Sequence, residues 1–179
     1  MDENPQANES SAGRLPPKRV FLSLGSNLGD RAAYLRRALA ELAAASFEVR
    51  QVSSFYKTQP VDFGAQPWFL NCVAEVGTLL MPLQLLRTLK TIERALGRRP
   101  GIPRGPRPID IDILFYGDLV MRSAALTIPH ARMSERRFVL VPLRELAPHL
   151  RHPVTQRDVV QMLAATPDKS QIVRLRQEG

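Results

Sequence analysis

The sequence contains one cysteine, Cys72, which excludes an internal disulfide and any cysteine-rich metal centre. Cys72 reads as a small core residue. Of the three histidines, His149 and His152 have no third metal-type neighbour nearby and read as structural. No apolar run approaches the length of about 20 residues needed to cross a bilayer. The first seventeen residues, MDENPQANESSAGRLPP, lack the hydrophobic core of a secretory signal and read as a disordered tail. A cytoplasmic protein is expected, with a single domain over residues 18–179. Its 179 residues, 44% of them hydrophobic, are enough for one core.

Positive charge is in excess and unevenly spread. Residues 98–179 carry 14 Arg and Lys against 8 Asp and Glu, whereas residues 1–97 carry 11 against 9. An anionic partner is expected, and charge alone admits nucleic acid or a nucleoside triphosphate.

Gly97 to Leu114 reads G-R-R-P-G-I-P-R-G-P-R-P-I-D-I-D-I-L. Arg98, Arg99, Arg104 and Arg107 alternate with three glycines and four prolines, a composition that neither a helix nor a central strand tolerates. This is a loop, expected to order over phosphates. Ile109 to Ile113 then alternates strictly, so a strand projects Asp110 and Asp112 to one side. Two adjacent carboxylates repel unless a cation lies between them. Arginine forks suit phosphate oxygens, and paired carboxylates suit a hard cation that phosphate can share. The combination points to a magnesium-bound polyphosphate.

Hydrophobic spacing places a strand at Lys18 to Gly25, a helix from about Asp30 to Ala45 capped by Asp30, and a second strand at Phe47 to Thr58. A third strand follows at Phe69 to Leu80, after a loop at Gln59 to Trp68. A helix opens at Pro82 and closes at Gly97, with Glu93 facing the arginine loop. The aspartate strand comes next. Further helices are expected over Ser134 to Ala147, interrupted at Pro142, and over Thr155 to Ala165. The Ser26 to Gly29 turn lacks the Lys-Ser/Thr of a P-loop. The order β-α-β-β-α-β predicts an α+β fold, a ferredoxin-like sandwich of an antiparallel or mixed sheet with flanking helices and long active-site loops.

Several segments, in order from about residue 19 to 165, resemble the signatures of the 6-hydroxymethyl-7,8-dihydropterin pyrophosphokinases of folate biosynthesis. They are Leu24 to Gly29 (LGSNLG), Ser53 to Thr58 (SSFYKT), Phe69-Leu70-Asn71, Gly105 to Leu114 (GPRPIDIDIL), and Ile128-Pro129-His130 through Arg136 and Phe138. The GPRxxDxDIL string is the most specific. The resemblance implies an ATP-dependent pyrophosphokinase that transfers pyrophosphate from MgATP to the hydroxymethyl group of the dihydropterin and releases AMP.

By the same likeness, Asp110 and Asp112 hold two Mg²⁺ ions, and Arg98 and Arg107 stabilise charge during transfer. Glu93, Arg98, Arg104, Arg107, Thr127, His130 and Arg136 contact ATP. Phe69 and Phe138 sandwich the pterin, with Thr58, Val61, Asn71 and Asp110 completing its site. The chain departs from the family pattern at Arg104, where an aromatic residue is frequent, and at Pro100, where a second arginine is frequent; Arg99 or Arg104 is the candidate replacement. Ala131 and Gln59 replace a tyrosine and a proline. The expected partners are the two small-molecule substrates, with no nucleic acid or membrane, and the protein is expected to be a monomer. A ferredoxin-like RNA-binding module would need strand aromatics in an R-G-F/Y-type pattern that this sequence lacks.

Overall fold

The computed structural model describes residues 15–45, 47–61, 65–101 and 105–176. Most of the tail expected at residues 1–17 therefore lies outside the described residues, as does Arg104. The fold is α+β, with β1 (Lys18–Ser26), α1 (Arg31–Ala44), β2 (Glu48–Val52), β3 (Tyr56–Thr58), β4 (Phe69–Thr78), α2 (Pro82–Ala95) and β5 (Asp110–Tyr116) in the first part. A short ribbon of β6 (Met121–Arg122) and β7 (Thr127–Ile128) precedes α3 (Arg137–Leu146), α4 (Val159–Ala165) and β8 (Ile172–Arg174). The main sheet runs β5-β1-β4-β3-β8, with β2 also on β4, and its strand pairs are antiparallel.

Period-two alternation divides the sheet into two faces. Leu22, Leu24, Cys72, Ala74, Ile111 and Ile113 pack on one face with Leu35, Ala38 and Leu42 of α1 and with Leu85, Leu89 and Ile92 of α2. Residues of opposite parity, Phe21, Val73 and Leu114, form a second core with Val139, Leu140 and Leu143 of α3 and with Val159 and Met162 of α4. That second layer covers only part of its face. Ser23, Gly25, Phe69, Asn71, Asp110 and Asp112, on the same strands, line a cavity instead.

Asp30 caps α1 by accepting from the Ala33 amide at 3.0 Å, and Gly97 closes α2 at φ 95°, a left-handed conformation that glycine adopts without steric cost. Three expectations need correction. The strand expected over Phe47 to Thr58 is two strands, because Ser53 turns its side chain onto backbone groups and Ser54 turns to Glu145. The Ser53 hydroxyl accepts from Val73 N at 3.0 Å, and Ser54 N donates to Glu145. Pro142 does not interrupt α3, whose buried stripe of Val139, Leu140 and Leu143 holds the helix through it. The last helix starts at Val159 rather than Thr155, because Asp158 and Gln161 form a reciprocal capping box there and Gln156 has φ 59°.

Candidate active site

The cavity encloses about 260 Å³ over the uncovered half of the sheet, a volume suited to a small flat ligand. Register explains its floor. Gly25 pairs with Asn71 on β4 and with Asp110 on β5, and Ser23 pairs with Asp112. Three neighbouring strands thus present the amide, a bare backbone and the two carboxylates side by side. Asn71 donates to Thr58 Oγ1 at 2.6 Å, so the partner that a buried amide requires is a neighbouring strand's hydroxyl. A Cβ at position 25 would come within 2.4 Å of Asn71 Oδ1, which makes glycine the residue that fits this amide.

Phe69 and Phe138 line this cavity from different elements, each with an arginine against its ring. The Arg107 guanidinium carbon is 5.3 Å from the Phe69 centroid, and that of Arg136 is 5.5 Å from Phe138. Thr58, Val61, Arg107, Asp110, Asp112, His130 and Arg136 also line it. Ten of the expected site residues therefore meet in one space.

The two aspartates differ sharply in their surroundings. Asp110 pairs with Arg98 Nη1 through Oδ1 and lies 3.0 Å from Arg107 Nε through Oδ2. Burial works to raise its pKa, but Arg107 and Arg98 outweigh it and hold the carboxyl below its ordinary value. For Asp112, burial and then the Asp110 charge push the pKa up, against weaker opposition from His130, Lys90 and Arg136. The repulsion read from the sequence is thus relieved at Asp110 by protein arginines and persists at Asp112. Among the described residues no group of three or more His, Cys, Asp or Glu could hold a metal ion. The pair fits a hard cation that takes its remaining oxygens from phosphate and water.

His130 is set beside β5 by its amide, which donates to Leu114 O at 3.0 Å, and its Nδ1 accepts from Arg132 N at 3.2 Å. The neutral ring therefore carries its proton on Nε2. Burial lowers its pKa, Asp112 opposes this, and Arg136 reinforces it.

Other expected site residues lie elsewhere. Glu93, only 1% exposed, accepts from Ile111 N at 2.7 Å and from Lys90 Nζ at 3.0 Å, and sits 3.1 Å from Arg98. Burial raises its pKa, with Lys90 the main opposing charge. Glu93 thus ties α2 to the aspartate strand and lines an adjoining groove with Lys90, Arg98 and Arg99. Thr127 lines neither cavity nor groove. The sequence reading missed Ser23, Gly25 and Gln66 on the cavity wall, and also Asn27. Asn27 accepts from Arg107 N at 2.9 Å and donates to Gln66 Oε1 at 2.9 Å. The Ser26 to Gly29 turn therefore clamps the arginine loop. Its signal in the sequence was its place in the LGSNLG string, which carries no role for Asn27 by itself.

A family model described as 7,8-dihydro-6-hydroxymethylpterin-pyrophosphokinase (HPPK) matches residues 21–148. The 2-amino-4-hydroxy-6-hydroxymethyldihydropteridine pyrophosphokinase of Bacillus subtilis is 42% identical over 79% of this chain and 86% of its own length; that of Aquifex aeolicus is 39% identical over 77% and 86%. The folic acid synthesis protein fol1 of Pneumocystis carinii is 43% identical over 81% of this chain, which spans only 20% of that longer protein. The fold is similar to that of Plasmodium falciparum HPPK-DHPS, solved with pterin and p-hydroxybenzoate, at a TM-score of 0.66 and 17% identity over 86% of this chain and 44% of that one. The chain belongs to the 7,8-dihydro-6-hydroxymethylpterin-pyrophosphokinase family.

Proposed function

We propose that this protein transfers the pyrophosphoryl group of MgATP to the hydroxymethyl group of 6-hydroxymethyl-7,8-dihydropterin, releasing AMP, in folate biosynthesis. One observation carries the reading: a cavity that presents aromatic faces and a buried amide also presents two carboxylates and two arginines. A flat heterocycle and a metal-bound triphosphate are the ligands such a lining suits together.

In this account the pterin lies between Phe69 and Phe138, with its amide-like edge on Asn71 and the Thr58 region and Val61 at the rim. Its hydroxyl oxygen bonds to the β-phosphorus as the bond from that phosphorus to the AMP oxygen breaks, and the hydroxyl proton leaves to solvent. Asp110 and Asp112 would hold Mg²⁺, as two ions in this proposal, and the metal would supply charge neutralisation of the triphosphate. Arg98 and Arg107, already preorganised around Asp110, then turn toward the charge that builds on the bridging oxygens. His130 donates from Nε2, and Arg136 adds charge. Glu93 holds β5 and Arg98 and contacts ATP, and contacts of Arg104 and Thr127 with ATP complete the assignment.

We further assign residues 18–179 to one ferredoxin-like domain, acting as a monomer in the cytoplasm. The spatial strand order, with β1 between β5 and β4, and the packing of α1 and α2 on one face of the sheet support the fold assignment. No helix among the described residues is long and apolar enough to cross a membrane. The test is AMP release from ATP with and without added 6-hydroxymethyl-7,8-dihydropterin. Pterin-dependent release is expected, and ATP turnover indifferent to the pterin would sink the proposal.

A further inference from the structure

The chain beyond residue 148 lies outside the family match, yet it returns to the cavity. From Thr166 to Arg174 it bridges two of the cavity's walls. At one end β8 pairs with β3, setting Ile172 opposite Thr58, and Gln171 exchanges hydrogen bonds with Gln59, its carbonyl accepting from Gln59 N at 3.0 Å. At the other end is Asp168, a 9%-exposed carboxylate. Its Oδ2 accepts from Arg137 N at 2.8 Å and its Oδ1 from Ser170 N at 2.8 Å. Arg137 opens α3, and the first amide of a helix has no partner within the helix. Arg136 and Phe138, its two chain neighbours, both line the cavity.

We propose that Asp168 is a positioning residue for the pterin: through the strap it joins the start of α3 to β3 and so fixes the separation of Phe138 from Thr58. The inference rests on the functional reading above. Losing the contact loosens the Phe138 wall, which the Arg137 guanidinium on Ser170 O at 3.3 Å still ties to the strap, while the Asp110 and Asp112 side of the site, on β5, is untouched.

Steady-state kinetics with each substrate varied, on purified full-length wild type, Asp168→Ala, Asp168→Asn and Arg137→Pro, tests this. Proline suits the first helical position, and Arg136 already has the extended backbone that precedes a proline, so Arg137→Pro removes the amide from the other side. Asp168→Ala and Arg137→Pro should each raise KM for the pterin about tenfold, as expected for loss of a charge-assisted hydrogen bond, with a smaller rise in KM for ATP transmitted through Arg136. Asp168→Asn keeps one acceptor oxygen and should fall between. The double variant should be no worse than the worse single one. Equal changes in both KM values, or a lower melting temperature with unaltered pterin KM, would overturn the positioning role. Wild type without pterin-dependent turnover would instead overturn the functional reading.

Discussion

Arg107 and Phe69 are in contact, the guanidinium carbon 5.3 Å from the ring centre, so one side chain links the aspartate pair to the aromatic wall. A separation of roles in which the phenylalanines bind and Arg107 only transfers is therefore too clean. Arg107→Ala should lower the single-turnover rate ~10²–10³-fold at saturating pterin, as for loss of one preorganised charge-stabilising group. It should also weaken pterin binding by roughly 0.5–1 kcal/mol, the size of an exposed cation–π contact. Phe69→Ala should cost roughly 1–3 kcal/mol of pterin affinity by analogy with base stacking, leaving MgATP affinity in place. Calorimetry for each ligand separates these; normal pterin binding by Phe69→Ala would make that residue core alone.

The two aspartates should fail differently. Asp112→Asn removes a charge that burial and Asp110 both disfavour, so the melting temperature should hold or rise while Mg²⁺-dependent turnover falls at least ~10²-fold. Asp110→Asn should lose turnover and also stability, roughly 1–3 kcal/mol, because Arg98 and Arg107 lose their counter-charge. Thermal melts beside rate measurements check this, and equal melting temperatures for the two variants would remove the asymmetry.

Gly25→Ala places a methyl 2.4 Å from Asn71 Oδ1. The amide must rotate off Thr58, at an overpacking cost of about 1–3 kcal/mol. Pterin affinity should fall with little change in ATP affinity, as read by titration of each ligand. Unchanged pterin affinity would show that the cavity floor tolerates a side chain.

Stability should depend on pH through Glu145 and Tyr56, which hydrogen-bond at 2.7 Å and join α3 to β3. Burial works to raise the Glu145 carboxyl, but hydrogen bonds from Tyr56 and Ser54 and the Arg174 charge bring it below its ordinary 4.5. A lowered carboxyl contributes stability that is complete above 4.5 and is lost as pH falls through the folded value. Burial, then Glu145, pushes Tyr56 from 10 up to about 12, so its contribution is complete below 10 and is lost as pH rises toward 12. Denaturation midpoints across pH should decline at both ends in wild type. Glu145→Gln should flatten the acid limb; an unaltered limb would refute the assignment.

Much of this was legible in sequence because short-range rules governed it. The alternation of Ile109 to Ile113 fixed the common side of Asp110 and Asp112, and Asp30, Pro82 and Gly97 marked helix ends. Resemblance supplied Phe69, Asn71 and Phe138. What escaped depends on contacts between distant segments. Ser53 and Ser54 break a strand through Val73 and Glu145, and the three residues of β8 carry too little pattern to be seen without β3. Gly25 read only as the end of the first strand, and its register opposite Asn71 gives it a purpose. The tie from Glu93 to the Ile111 amide also escaped, since the two residues stand 18 positions apart.

The most direct measurement of the central claim is ³¹P NMR of a reaction containing MgATP and 6-hydroxymethyl-7,8-dihydropterin. The account predicts AMP and a pterin diphosphate ester in equal amounts, since the nucleophile attacks the β-phosphorus. ADP with a pterin monophosphate, or free pyrophosphate with unmodified pterin, would contradict it.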